Sequence, residues 1–347
     1  MQRIKTAIVG ASGYTGQELL RLLLVHPNVD LVAATSRQEA GKPLSAVFPR
    51  FRKLPGADLA FIEPDPDAIA ATGAQAAFLA LPHGVAAEIA SALLQRGLKV
   101  IDLSADFRLR DAAVYQEFYD HPHPAPALLD QAVYGLPEIR AEEIKAASLI
   151  ASPGCYPTSI LLPLIPLVKA GLLDPDTIVA NSMSGVSGAG RKADISLLFC
   201  ECNESARAYG LPKHRHLSEI EQELSLAAGG KVIITFIPHL IPVNSGIATT
   251  TTAKIRAGVS LEAIGQALEA AYADAPFVRL LGAGICADTK NVTRTNFIDI
   301  GWHLDARTGR VILTSAEDNL GKGAGSQAVQ SFNLIFGLGE TAGLQTA

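Results

Sequence analysis

Thr6-Ala7-Ile8-Val9-Gly10-Ala11-Ser12-Gly13-Tyr14-Thr15-Gly16 sets a short apolar run against a glycine turn, and the leucine-rich run from Glu18 to Val25 follows at helical spacing. Strand, glycine turn and helix in that order make a site for a dinucleotide. The glycines let the backbone approach a pyrophosphate, and the helix N-terminus offers N–H groups and the positive end of its dipole. The spacing is G-x-x-G-x-x-G rather than G-x-G-x-x-G, so the motif carries weight only through its strand and helix setting. Gly10, Ser12, Gly13, Tyr14, Thr15 and Gly16 are the candidate contacts.

The next apolar run, Leu31 to Ala34, ends in Thr35-Ser36-Arg37, where an acidic residue would suit a free ribose 2′-hydroxyl. Two hydroxyls and a guanidinium suit a 2′-phosphate instead, which predicts NADP as the cofactor. Strands at Ala76 to Leu81 and Lys99 to Ser104, with a helix from Val85 to Gln95 between them, continue a βαβ alternation and predict a parallel sheet. Ligands of such sheets bind at the carboxyl ends of the strands. Leu81, Pro82 and His83 are therefore expected beside the cofactor, and Arg108 is a candidate to hold a phosphoryl group. From Asp111 to Pro137 the chain is polar and aromatic, and its His121-Pro122-His123-Pro124-Ala125-Pro126 segment reads as a rigid surface loop. Its His121-Pro122-His123 lacks the further clustered ligands that a metal site needs, so no metal is expected.

Ser152-Pro153-Gly154-Cys155-Tyr156-Pro157-Thr158 lies between an apolar strand, Ala146 to Ala151, and a helix expected from Ser159 onward. A thiol at such a turn points at free N–H groups and a positive dipole end, which lower a cysteine pKa, so Cys155 is the candidate nucleophile. A small buried cysteine packed as a hydrophobe is the competing reading. Beyond it the composition turns to β-rich runs at Thr177 to Ser182, Lys231 to Phe236, Ala248 to Ile255 and Val311 to Thr314, with a helix from Leu261 to Ala273. This half is expected to be α+β with a largely antiparallel sheet.

Within it, Ser184 to Lys192 is a small-residue loop ending in two cations. Ser184 and Arg191 are candidates for an anionic substrate, and Ser187 and Gly188 for the cofactor. His214-Arg215-His216 opens another helix. His216 and Glu219 lie three apart on one face, so the carboxylate is placed to orient an imidazole. Two histidines at this spacing cannot share a helix face, which leaves one of them as acid and base. Near the end, Asp318 to Gly325 places Asn319 and Lys322 in a glycine-rich turn before a helix from Ser326 to Phe336, again a candidate cofactor contact. The expected division is 1–154, completed by 318–347, and 155–317.

At 347 residues the chain is long enough for two domains. No window has the ~18 uninterrupted apolar residues of a membrane helix. A net charge of -5 with scattered basic residues gives no footprint for nucleic acid. Four cysteines in no paired pattern suit neither a disulfide framework nor zinc, and the start lacks the apolar core of a secretory leader. The expectation is a cytoplasmic protein with small-molecule partners.

Taken together, GASGYTG, ALPHG, ADFRL, YGLPE, SPGCYPT, SGVSGAGR, KHRHLSEI and DNLGKGAG resemble, in that order along nearly the whole chain, the N-acetyl-γ-glutamyl-phosphate reductase family. The resemblance implies a Rossmann domain, a catalytic domain related to aspartate-semialdehyde dehydrogenase, NADPH as reductant and an acyl-phosphate substrate of arginine biosynthesis. It also implies Cys155 as nucleophile, one of His214 and His216 as general acid and base, and a homodimer or homotetramer. Ser245 stands where many members carry an arginine. The alternatives are a carrier-linked aminoadipyl-phosphate reductase of lysine biosynthesis and a non-catalytic NADP-binding redox sensor.

Overall fold

The computed structural model describes residues 3–344. The chain divides into two compact units, Met1–Pro153 with Ala324–Ala347, and Gly154–Gly323. Residues 345–347 of the expected C-terminal return lie outside the described residues.

The first unit runs β1 (Ile4–Val9), α1 (Tyr14–Leu23), β2 (Val29–Ala34), α2 (Leu44–Val47), α3 (Pro66–Ala71), β3 (Ala76–Leu79), α4 (Ala86–Gln95), β4 (Lys99–Asp102), α5 (Ala112–Tyr119), β5 (Ala132–Tyr134), α6 (Pro137–Ala146) and β6 (Leu149–Ala151). Its six strands form a sheet of order β2-β1-β3-β4-β6-β5, every pairing parallel. A parallel sheet is covered on both faces, which is why β3 is a continuous apolar run buried at each position. The leucine stripe of α1, Leu19, Leu20, Leu22 and Leu23, supplies part of that cover.

Strand order reverses between β1 and β3, so the loops after these two strands splay apart and open a crevice at their carboxyl ends. Gly10 lies there at φ +87°, where a Cβ would stand 2.5 Å from the Ala80 carbonyl oxygen, so only glycine fits. The polar and aromatic stretch from Asp111 to Pro137 carries regular elements, and His123 of the expected surface loop is buried. Asp111 caps α5 by accepting the Ala113 N–H at 2.7 Å, Tyr115 and Tyr119 are buried on that helix, and Ala132–Tyr134 adds an edge strand.

The second unit contains α7 (Cys155–Lys169), β7 (Leu173–Gly185), α8 (Phe199–Cys202), β8 (Arg207–Ala208), α9 (His216–Ala228), β9 (Thr235–Ile241), β10 (Ile247–Ile255), α10 (Leu261–Tyr272), β11 (Val278–Ala283), β12 (Ile298–Asp305) and β13 (Arg310–Glu317); α11 (Ser326–Ile335) then completes the first unit. Its seven strands are ordered β11-β12-β13-β10-β7-β9-β8. Four of the six pairings are antiparallel, so the sheet is mixed but mainly antiparallel. The expected strand at Lys231 to Phe236 is displaced to Thr235–Ile241. Val232 and Ile234 instead give their N–H groups to Ser225 Oγ and Glu221 Oε1 of α9.

α7 is the central element, buried from Tyr156 to Val168 and packed on α9, α10, β7, β10 and β13. It starts at Cys155 rather than Ser159. Pro157 falls in the first turn, where backbone N–H groups have no helical partner and proline costs nothing. Pro163 and Pro166 lie deeper and leave the carbonyls four residues earlier, at Ser159 and Leu162, without their helical donors. Both are supplied from outside: Ser315 Oγ donates to Ser159 O at 2.7 Å, and the Tyr272 hydroxyl donates to Leu162 O.

Candidate active site

Cys155 is the first residue of α7, with Gly154 as its N-cap. It is half-buried and faces a cleft of about 330 Å³ that lies wholly within the second unit. The N-terminus of this 15-residue helix favours negative charge at the sulfur and on any oxyanion formed next to it. Glycine is required before the thiol because a Cβ at Gly154 would stand 2.6 Å from His216 Nε2 and 2.8 Å from its Cε1. The imidazole is therefore stacked directly on the backbone that carries the nucleophile.

Glu219, buried on α9, accepts the Gly154 N–H at 2.7 Å through Oε1. The helical spacing placed this carboxylate on the histidine's face, but its bond to the backbone preceding the thiol was not legible from spacing. Helix α9 thus fixes the turn at two points, with His216 in its first position and Glu219 one turn later.

Both histidines line the cleft, His216 as the first residue of α9 and His214 in the approach to it. Their rings are 4.9 Å apart. His214 Nδ1 accepts the His216 N–H at 3.1 Å, and its ring sits edge-on to Tyr156, Tyr209 and Phe236. Burial, with the Arg215 charge adding to it, pulls the His214 imidazole down to about 4. It is neutral at physiological pH and serves as an acceptor.

A consequence follows for stability. The unfolded chain takes up a proton on this imidazole near pH 6.5 and the folded chain only near pH 4. His214 therefore stabilises fully above pH 6.5, and that contribution is lost as pH falls toward 4, about 2–3 kcal/mol by pH 4.5. Urea unfolding at pH 7 and 4.5 should show a smaller difference in His214→Gln than in wild type; equal differences would contradict this protonation assignment.

Of the remaining wall, Arg207 and Tyr209 carry no sequence signal, whereas Lys192 is one of the two cations that end the Ser184 to Lys192 loop. Lys192, Arg207 and Arg215 give the wall three cations, and the Tyr209 hydroxyl lies 2.9 Å from that of Tyr156. Burial pushes Tyr209 up to about 12, so it stays a neutral hydrogen-bonding group. Of the loop candidates, Ser184 and Gly188 line the cleft, whereas Arg191 is exposed and Lys192 takes the place expected for it. Ser187 and Asn319 are tied together: Asn319 Nδ2 donates to Ser187 Oγ at 2.9 Å, and its Oδ1 accepts the Gly246 N–H at 2.7 Å. Ser245 joins them, with its hydroxyl 3.3 Å from that of Ser187.

Two candidates are buried. Arg108 is enclosed in the first unit, where Nε donates to Ser152 O at 2.8 Å and Nη2 to Leu103 O at 3.0 Å. There it braces two strand ends, those of β6 and β4. Lys322 is fully enclosed, its ammonium 5.9 Å from the centre of the Phe277 ring, which removes it from a cofactor surface.

In the first unit the glycine turn leads into α1, whose N-cap, Gly13, has no side chain to cap the helix. Thr35 Oγ1 accepts the Gly10 N–H at 3.2 Å, and Ser36 Oγ donates to Ser12 Oγ at 3.0 Å. The end of β2 is thereby tied to the turn, with Arg37 exposed just beyond. Tyr14, Thr15 and Gly16 form the first turn of α1, while Leu81, Pro82 and His83 follow β3 across the crevice. Among the described residues, no group of three or more His, Cys, Asp or Glu is placed to hold a metal, and no helix is long and apolar enough to cross a membrane.

A dinucleotide-type unit joined to one that presents a thiol, an imidazole and cations fits the class of oxidoreductases. The chain belongs to the semialdehyde dehydrogenase family, within its N-acetyl-γ-glutamyl-phosphate reductase branch. The family's NAD binding domain matches residues 5–147 and its dimerisation domain residues 155–319. A protein of Akkermansia muciniphila named N-acetyl-gamma-glutamyl-phosphate reductase is 67% identical over 99% of both chains. One of the same name from Geobacter metallireducens is 50% identical over 99% of this chain and 98% of its own. The fold matches aspartate semialdehyde dehydrogenase II of Vibrio cholerae, solved with ASA, at TM-score 0.73, 18% identity and coverage of 97% and 99%. The Candida albicans aspartate semialdehyde dehydrogenase, solved with NADP, matches at 0.71 and 16% over 96% and 100%.

Proposed function

We propose that this chain reduces N-acetyl-L-glutamyl 5-phosphate to N-acetyl-L-glutamate 5-semialdehyde with NADPH, releasing phosphate, as a step of arginine biosynthesis in the cytoplasm. The observation that carries this reading is Cys155 at the start of α7, in one cleft with His216 and three cations, in a chain 67% identical to a relative of that name. The substrate carries a carboxylate and an acyl phosphate, which Lys192, Arg207 and Arg215 match in charge.

Cys155 Sγ attacks the acyl carbon, the carbon–oxygen bond to phosphate breaks, and a thioester forms on the sulfur. The first-turn N–H groups of Cys155 and Tyr156 are the candidate donors to the oxyanion, each worth about 3–4 kcal/mol in such sites. NADPH, when bound, supplies the hydride that reduces the thioester. Collapse of the resulting oxyanion expels the Cys155 thiolate and releases the aldehyde, with His216 handling the proton.

Gly10, Ser12, Gly13 and the start of α1 would hold the pyrophosphate, and Ser36 with Arg37 the 2′-phosphate. The reading extends to a homodimer or homotetramer. On the second unit's sheet, Met183, Thr250, Thr252 and Ile312 share the face opposite to the buried Thr249 and Thr251, a surface suited to a second copy.

The test is an assay of purified protein with N-acetylglutamyl phosphate beside carrier-linked aminoadipyl phosphate and aspartyl phosphate, with NADPH and with NADH. Turnover of the first substrate with NADPH, at least ~100-fold above the other pairs, is expected. Preference for a carrier-linked substrate, or equal use of NADH, would overturn the corresponding part.

A further inference from the structure

We propose that Asp106 is a positioning residue for the nicotinamide dinucleotide, its carboxylate holding the Pro82-His83-Gly84 turn as one wall of the crevice. This rests on the reading of the first unit as the NADPH site. The crevice opens between the loops after β1 and β3, which meet where Gly10 abuts Ala80. The position of the second loop therefore sets the width of the site.

That loop has little to hold it locally. The N-cap of α4 is Val85, which offers no oxygen to the first N–H groups of the helix. The cap comes instead from the loop after the neighbouring strand, β4. Asp106, fully buried, accepts the Gly84 N–H at 2.7 Å through Oδ1 and the Ala87 N–H at 3.0 Å through Oδ2. The Tyr115 hydroxyl donates to Oδ1 at 2.8 Å, giving the carboxylate three donors. Its own carbonyl is held as well: His123 Nδ1 accepts the Ala125 N–H, which leaves Nε2 to donate to Asp106 O.

The support continues behind the turn. Gly84 has φ +80°, and a Cβ there would reach the His121 ring at 3.3 Å. That ring lies parallel to His83 at 6.1 Å and edge-on to Tyr115 at 5.3 Å. His123, read as part of a surface loop, is buried, and the segment after α5 acts as a buttress. A serine or aspartate at position 85 would cap α4 without burying a carboxylate. A carboxylate reaching across from the next loop does something a local cap does not: it locks two loops at the crevice mouth to each other.

Asp106→Asn keeps the shape but turns an amide N–H₂ toward a donor. Tyr115→Phe removes one donor and leaves both backbone bonds, so it keeps the test available where the first variant fails to fold. NADPH binding to the full chain, read by fluorescence, should weaken about 10-fold in Asp106→Asn and about 3-fold in Tyr115→Phe, with kcat/KM for NADPH falling in step and KM for the acyl phosphate held. Lower melting temperatures with NADPH affinity unchanged in both variants would make Asp106 a structural cap only and overturn the proposal. Wild-type protein that binds no NADPH would overturn the reading of the first unit, and the proposal with it.

Discussion

Cys155→Ser should lose acyl-phosphate reduction by about 10⁴-fold or more while binding NADPH as wild type does. The size of the effect follows from chemistry. A serine hydroxyl at the same helix start keeps the shape of the cleft and the hydrogen-bond donors around it, but it is a far poorer nucleophile at neutral pH, and the ester it would form is a poorer hydride acceptor than a thioester. The selectivity follows from where the groups are. The thiol belongs to the second unit and the glycine turn to the first, and the residues proposed to hold the cofactor pyrophosphate do not include α7. Residual turnover within about 100-fold of wild type would show that the thiol is not the nucleophile.

Gly154→Ala should lower kcat by about 10²–10³ without a matching loss of stability. The backbone at this position, φ −68° and ψ 158°, is open to alanine, so the effect is steric. The new methyl meets three atoms of the His216 ring at 2.6, 2.8 and 2.9 Å, and the ring must turn away from the nucleophile. Glu219 continues to hold the Gly154 N–H, which keeps the turn itself in place. Measuring kcat together with the urea midpoint separates the two effects. Activity within about tenfold of wild type would mean that His216 is not the proton carrier.

The first unit was readable because its signals are local. A strand, a glycine turn and a helix occupy consecutive residues, and β3 is an unbroken apolar run of the kind that only a doubly covered sheet produces. Cys155 was readable for the same reason. The start of its helix was placed too late because Pro157 reads as part of the turn, and the groups that satisfy the carbonyls freed by Pro163 and Pro166, Ser315 and Tyr272, come from elsewhere in the chain. Those partners are more than a hundred residues away in sequence, and no pattern within α7 announces them.

The same limit governed the site. Arg108 carries the charge that suits a phosphate, but that two of its N–H groups also hold the Ser152 and Leu103 carbonyls is set by the path of the loop after β4 and has no signal in the sequence. Lys192, Arg207 and Tyr209 reach the cleft from the irregular segment between β7 and α9, where there is no periodicity to read. The pair His214 and His216 was visible, but the difference between them is one of burial: one ring is enclosed by aromatic neighbours and kept neutral, while the other rests on Gly154.

The central claim, covalent capture at Cys155, is tested most directly by mixing the protein with N-acetylglutamyl phosphate in the absence of NADPH, quenching in acid, and measuring both phosphate and peptide masses. The account predicts a burst of phosphate equal to the enzyme present and one N-acetylglutamyl group on the peptide that carries Cys155, neither of them in Cys155→Ser. Phosphate release that waits for NADPH, or an acyl group found on another residue, would contradict it.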